Sequence, residues 1–237
     1  MMMRERLALL LQVQKMDRVI RELMARLERL AARRRELEER IAQRQAELAE
    51  KRRALDELRR ESHRCNDEVD SLDYQVRNYQ RQLRESIMSY REMEALKEKL
   101  DWTKRRMEEL ADGAIGLMNE IEARDKELAG EAEALSAWER GMREEIEVVG
   151  QETAARQTEL ERGRERRAEL AAQVERHLLE QYERLMRDYR YDEPIASVEG
   201  DSCSGCKMWL SENTRDRVRE GRELVVCENC HRILYWE

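Results

Sequence analysis

The sequence predicts a mostly α fold: a long antiparallel coiled-coil hairpin followed by a small C-terminal β module. Three observations carry that prediction. The first 112 residues contain neither Gly nor Pro, and 42% of the 237 residues are charged against 5% aromatic. An apolar repeat of seven residues runs without a slip from Val13 to Tyr90. The chain then changes character after Pro194, its single proline, where two Cys-x-x-Cys pairs follow.

Composition sets the limits. A globular domain averages roughly 25% charged residues, so one compact ball with a large core is excluded. The hydrophobic share is still 41%, too high for a disordered chain if those residues are regularly placed. No run of about 18 apolar residues announces a membrane span. The N-terminal apolar run, Leu7 to Leu11, is too short for a signal peptide. A cytoplasmic location without a membrane partner is therefore expected. Thiols stay reduced there, so the five Cys read as metal ligands or buried thiols before disulfides.

The first arm is read from its period. Alternating steps of three and four from Val13 to Tyr90 pass through 23 positions, of which 18 are apolar or aromatic with Cys65 counted. The exceptions are Arg34, Arg44, Lys51, Ser62 and Ser86. Such a seam implies a left-handed coiled coil. Its partner lies downstream. Leu96, Leu100, Met107, Leu110, Ala114, Leu117, Ile121, Leu128, Leu135, Trp138 and Met142 keep the rhythm, and Ile146, Val149, Leu160, Leu170 and Val174 extend it. Steps of four at Trp138, Met142 and Ile146 form a stutter, with Gly141 and Gly150 close by, where a bend is expected.

Two sites compete for the reversal. Ser89-Tyr90-Arg91-Glu92 has the form of a capping box, and Asp112-Gly113-Ala114-Ile115-Gly116 has the glycines. The first is favoured, with a turn near residues 86–90. Charge agrees with pairing inside one chain: residues 1–88 carry 21 basic and 17 acidic groups, and residues 89–190 carry 19 and 26. Reversal near residue 88 would place Arg44 near Glu131 or Glu133, offsetting a seam charge. The hairpin is assigned residues 1–190 and the β module residues 194–237.

The β module reads as short strands, Ile195 to Val198, Lys207 to Leu210, Glu223 to Val226 and Ile233 to Trp236, around Cys203-Ser204-Gly205-Cys206 and Cys227-Glu228-Asn229-Cys230. A two-residue gap lets one tight turn aim both thiolates at one point. Two such turns complete a tetrahedron of sulfurs for one structural metal ion, held by Cys203, Cys206, Cys227 and Cys230. Zinc is favoured over iron, which four sulfurs do not by themselves exclude. All four positions are filled by protein, so the ion folds the module and leaves no place for a substrate. Cys227 to His231 also spells the haem-attachment string, but that chemistry needs export and would leave Cys203 and Cys206 unexplained. His231 is expected in the turn after the knuckle at positive φ. Cys65 is expected to be a buried seam thiol, and His63 and His177 to be surface residues.

A helical hairpin followed by this ribbon resembles the bacterial C4-type zinc-ribbon family. The likeness covers essentially the whole chain and is most specific in Arg91-Glu92-Met93-Glu94-Ala95-Leu96, in Leu178 to Leu185, and in the ribbon strings through Tyr235. Gly usually stands in that family where this chain has His231. The resemblance implies a non-enzymatic role. Proteins of this kind are described as predicted nucleic-acid binders, or as chaperone-like adaptors linked to sigma-54 and to flagellar or type III secretion assembly.

Charge separates the hypotheses. Residues 201–237 carry six basic and seven acidic groups, a poor nucleic-acid footprint. Residues 77–106 hold nine basic and five acidic groups with aromatics interleaved, and Tyr90, Arg91, Trp102, Lys104, Arg105 and Arg106 are the candidate partner surface. Residues 108–152 hold fourteen acidic and four basic groups, which would repel nucleic acid. No nucleophile–base pair, phosphate loop or open metal site is visible. The expectation is an adaptor for a protein partner, with RNA or DNA binding as the alternative and no small-molecule substrate.

Overall fold

The computed structural model describes residues 3–188 and 192–236. Tyr189 and Arg190, assigned above to the end of the helical hairpin, lie outside the described residues, as do Met1, Met2, Tyr191 and Glu237. The elements are α1 (Met3–Glu85), α2 (Tyr90–Gln173), α3 (Arg176–Asp188), β1 (Ile195–Glu199), β2 (Ser202–Cys203), α4 (Glu212–Glu220), β3 (Val225–Val226) and β4 (Ile233–Tyr235). The long helices form a hairpin. The chain divides into two compact units. The turn unit is Glu36–Glu145, and the ribbon unit joins Met1–Arg35 to Ile146–Glu237.

In the turn unit, α1 and α2 are joined by residues 86–89. Ser89 caps α2. The Ser89 backbone N–H and hydroxyl both donate to Glu92 Oε2 at 2.8 Å, and the Glu92 N–H donates to Ser89 Oγ at 3.3 Å. These reciprocal bonds satisfy donors that a helix start otherwise leaves open. The same bonds, the backbone one first, hold the Glu92 carboxyl below its usual range. α2 runs unbroken through Gly113, Gly116, Gly130 and Gly141.

Burial follows the seam. Leu37, Leu48, Leu55, Leu72 and Val76 of α1 and Leu100, Ala114 and Leu128 of α2 are buried. Arg44, Lys51, Ser86 and Tyr90, though in seam slots, are exposed. Ser62 is buried. So is Thr103, a seam position that a step from Leu100 to Met107 passes over. Its hydroxyl donates to its own helix at Lys99 O, 2.8 Å away, which leaves the methyl for packing.

The register differs from the expected one. Lys51 pairs with Glu131, Arg59 with Asp125 at 2.6 Å, and Arg44 lies over the Trp138 ring with its Cζ 4.3 Å from the centroid. Facing pairs therefore mirror about residue 91, not 88, and Arg44 meets Trp138 instead of Glu131 or Glu133. The linker explains the offset. Four non-helical residues at up to about 3.3 Å each span roughly as far as two turns of helix at 1.5 Å per residue. They lie against the first turns of α2. The seam charge at Arg44 is thus met by an aromatic face, which Arg40 also approaches at 5.9 Å.

The ribbon unit has one core around the cysteines, formed by Ala196, Leu210, Val218, Val225 and Leu234, and a second core shared by helices and strands. Leu7, Leu10 and Val13 of α1 pack with Leu170 and Val174, with Leu178, Tyr182 and Leu185 of α3, and with Ile195 and Ile233 of the sheet. The helical arm breaks at Val174 and Glu175, where no Gly or Pro stands. The break starts α3 as a separate helix, with the Leu178 and Leu179 N–H groups on Glu175 O at 3.0 and 3.1 Å. Buried inside this core, Asp17 accepts from Tyr182 Oη at 2.9 Å and from Arg167 Nε at 3.1 Å. Burial, then the Asp17 charge, pushes the Tyr182 phenol far above its ordinary value.

The sheet has the order β2-β1-β4-β3, with β1 and β4 parallel and the outer pairs antiparallel. Two expectations are corrected here. Lys207 to Leu210 is not a strand but the closing part of a knuckle, joined to the sheet by one bridge between Ser202 and Trp209. Residues 212–220 form α4, a helix the strand reading left out. Its signals were local: Ser211 caps it by accepting from Thr214 N, and Gly221 ends it at φ 61°.

Candidate metal centre

The two knuckles are copies of one backbone turn. Lys207 N donates to Cys203 O at 2.8 Å and His231 N to Cys227 O at 2.9 Å, while Cys203 N and Cys227 N reach Met208 O and Arg232 O. Lys207 has φ 60° and His231 φ 57°. His231 thus takes the left-handed conformation that Gly adopts most easily, and Lys207 takes it at the equivalent position.

The turns bring Cys203, Cys206, Cys227 and Cys230 together, with their four sulfurs all within 4.8 Å of one another. Cys203 Sγ lies 3.8 Å from Cys230 Sγ, and Cys206 Sγ lies 3.7 Å from Cys227 Sγ. Disulfides require about 2.05 Å, and none is present among the five cysteines. A tetrahedron with metal–sulfur bonds of about 2.3 Å has edges of about 3.8 Å. The donor set therefore fits one structural zinc ion in a closed four-sulfur site.

The surroundings pull these sulfurs in opposite directions. Burial pushes the Cys203 thiol up to about 12, against the N–H groups of Cys206 and Gly205 that point at it. Burial likewise raises Cys227, opposed by the N–H groups of Cys230 and Asn229. At Cys206 burial is outweighed by hydrogen bonds from Met208 N–H, Asn229 and the neighbouring thiols, and its value falls to about 6. A bound divalent cation offsets the burial penalty that keeps Cys203 and Cys227 protonated. The amides that remain are the outer hydrogen bonds such sites use to orient their ligands.

Two further ties were not legible from the Cys spacing. Glu228, inside the second knuckle, accepts from Ser211 Oγ at 3.2 Å and Thr214 Oγ1 at 2.6 Å, linking the start of α4 to the site. The Arg232 side chain lies over Gly205 and donates to Glu193 O at 2.9 Å, and a Cβ at Gly205 would meet it at 2.6 Å. From the helices, Gln14 grips the first strand. Its Nε2 donates to Ile195 O at 3.2 Å and its Oε1 accepts from Ile195 N at 2.8 Å, as a neighbouring strand would.

The candidate partner residues Tyr90, Arg91, Trp102, Lys104, Arg105 and Arg106 all fall in the turn unit, and the four cysteines in the ribbon unit. Tyr90 is 75% and Trp102 63% exposed. Arg91, Arg105 and Arg106 are exposed and Lys104 is half-buried. Ile87, which the charge count did not single out, is fully exposed beside them. On the ribbon Trp209 is 79% exposed. Cys65 is half-buried, less than expected of a seam thiol, and His63 and His177 are exposed. No helix among the described residues is long and apolar enough to cross a membrane.

Comparison with known proteins agrees with this geometry. A CT398-like coiled coil hairpin domain matches residues 13–190, and a C4-type zinc ribbon domain matches residues 202–234. No curated protein matches the chain. Among solved structures, CT398 from Chlamydia trachomatis aligns with TM-score 0.70 at 23% identity over 99% of each chain. A Mycobacterium smegmatis protein aligns with TM-score 0.74 at 19% identity over 98% of each chain. The HP0958 protein from Helicobacter pylori aligns with TM-score 0.58 at 18% identity, again over 98% of each. These likenesses concern the fold, a coiled-coil hairpin joined to a ribbon. The chain belongs to the CT398-like coiled-coil hairpin family and carries a C4-type zinc ribbon after the hairpin.

Proposed function

We propose that this protein is a non-enzymatic, chaperone-like adaptor that binds a protein partner through the reversal end of its turn unit, in the cytoplasm. The zinc ribbon serves as a structural module. The observation that carries this reading is the opening of the seam. Leu72, Val76 and Leu100 are buried. Tyr79, Leu83, Met88, Met93 and Leu96, nearer the reversal, are only half-buried, and Ile87 and Tyr90 are exposed. Aliphatic and aromatic surface is left uncovered where the hairpin ends, as at a protein interface.

The distribution of engaged cations supports the same end. On the ribbon, Lys207 pairs with Glu199, Arg215 with Asp201, Arg217 with Glu223 and Arg222 with Glu220. Arg219 lies over Trp236. Around the reversal, Arg91, Lys97, Lys99 and Lys104 make no ion pair among the described residues, and Arg84 and Arg105 bond only to carbonyls of their own helices. Arg77 and Arg106 pair with Asp73 and Glu109 within their own helices, yet more positive charge stays uncommitted around the reversal than on the ribbon. Ile87, Leu83 and Met88 favour protein over nucleic acid, because aliphatic side chains neither stack on bases nor neutralise phosphate.

Affinity capture from nuclease-treated lysate tests the proposal. The parent protein should retain a protein partner after nuclease. Changing Lys104, Arg105 and Arg106 to Glu should abolish that capture with helicity and zinc content unchanged. Capture lost on nuclease treatment would transfer the function to nucleic acid.

A further inference from the structure

We infer that the partner segment is an amphipathic helix with an acidic flank, which lies in the groove between α1 and α2 next to the reversal and forms a third strand of the coiled coil there. This rests on the adaptor reading and adds the chemistry of what is bound. The groove is lined by Gln75 and Tyr79 of α1 and by Lys99, Trp102, Thr103 and Arg105 of α2. Glu98 and Asp101 line it as well, so the groove itself is charge-balanced and the cationic surplus lies in the residues around it.

Shape argues for a helix. Two antiparallel helices leave a channel along their contact line, and side-chain ridges of a third helix fill it. The turn unit is wholly helical apart from residues 86–89, so it offers no strand edge to an extended peptide. The floor suits an apolar stripe. Thr103 is 3% exposed and its hydroxyl is already bonded to Lys99 O, so the methyl faces the packing. Tyr79 is half-buried in the seam, and Trp102 stands at the rim, largely exposed. A large aromatic at the rim of a groove is the usual anchor of a helix-in-groove contact.

Charge argues for the acidic flank. Lys99 and Lys104 make no ion pair among the described residues, and Arg105 donates only to Asp101 O, its own helix. Residues 77–106 carry nine basic groups against five acidic ones, and Glu92 among the five is engaged by Ser89. Glu98 and Asp101 temper the surplus next to the groove and limit where the partner's carboxylates sit. A second copy docking by its own reversal is the wrong occupant for this end, because it would bring the same surplus of cations.

A photo-crosslinking amino acid placed at Gln75, at Tyr90 and at exposed Arg53 tests this in the full-length, zinc-loaded protein. Each variant is irradiated in nuclease-treated lysate of the source organism, and crosslinked peptides are sequenced by mass spectrometry. The inference expects a crosslink at Gln75 and none at Arg53. The captured peptide should have apolar residues at spacings of three and four and a net negative charge. As a synthetic peptide it should gain helicity on binding and lose at least about tenfold in affinity with Trp102→Ala, as for an anchoring aromatic. A basic or non-helical peptide at Gln75 overturns the inference. Capture at Tyr90 but not at Gln75 also overturns it while sparing the adaptor reading. No protein captured at either position removes both.

Discussion

Replacing Gln14 by Ala should loosen the first strand of the ribbon. Among the described residues Gln14 supplies both a donor and an acceptor to the backbone of Ile195, which is 3% exposed. Without it a buried N–H and a buried C=O lose their partners. Each such loss costs roughly 1–3 kcal/mol, somewhat less if water enters the space left behind. Opening of β1 should therefore become easier by about 2–4 kcal/mol. At 1.4 kcal/mol per factor of ten, amide exchange at Ile195 should accelerate about 30-fold to several hundred-fold. Hydrogen exchange of the zinc-loaded protein, read on residues 195–199, measures this. Gln14→Glu should be nearly as damaging, because it keeps the acceptor but turns an oxygen toward the Ile195 carbonyl. Exchange around Leu55 and Leu128, in the other unit, should not move. An acceleration below about threefold at Ile195, or an equal one at Leu55, would refute the reasoning.

Other perturbations follow from the same geometry. Metal analysis of the purified parent should give one zinc per chain, and Cys227→Ser should remove it. Chelation should raise exchange not only in the ribbon but also at Leu10, Val13, Leu178 and Tyr182, since Ile195 and Ile233 share their core; exchange confined to the ribbon would contradict that shared core. Tyr182→Phe leaves buried Asp17 with Arg167 as its remaining partner of the two and should cost about 1.5–3 kcal/mol, the range for a bond to a charged group, read as a lower thermal midpoint. Glu92 has its folded value depressed, so its cap contributes above the ordinary carboxylate range and is lost as pH falls through the lowered value. Exchange at the start of α2 should therefore rise on acidification in the parent and be higher but less pH-dependent in Glu92→Gln.

Much of this molecule was written in its spacing. The heptad phase from Val13 marked the buried seam at Leu37, Leu48 and Leu55, and Ser89 with Glu92 marked the start of the returning helix. The Cys pairs marked the ligand set, because a tetrahedral site constrains sequence spacing directly. What escaped was set by tertiary geometry. The pairing register depends on how far residues 86–89 extend, which no period encodes. The break at Val174 and Glu175 lacks a Gly or Pro because packing of α3 on the shared core decides it. Gln14 looked like an ordinary polar residue, and its role exists only because β1 passes within reach. Ser211 and Gly221 carry the local signals for α4, which lies between the expected strands 207–210 and 223–226.

The central claim, that the reversal end and not the ribbon carries the working surface, is tested most directly by titrating the captured partner protein against two variants side by side. Trp102→Ala should weaken binding at least about tenfold, as expected for an aromatic anchor that becomes buried on binding, with a shallow dependence on salt, and Trp209→Ala on the exposed ribbon face should leave affinity unchanged. Loss of binding with Trp209→Ala and none with Trp102→Ala would contradict it.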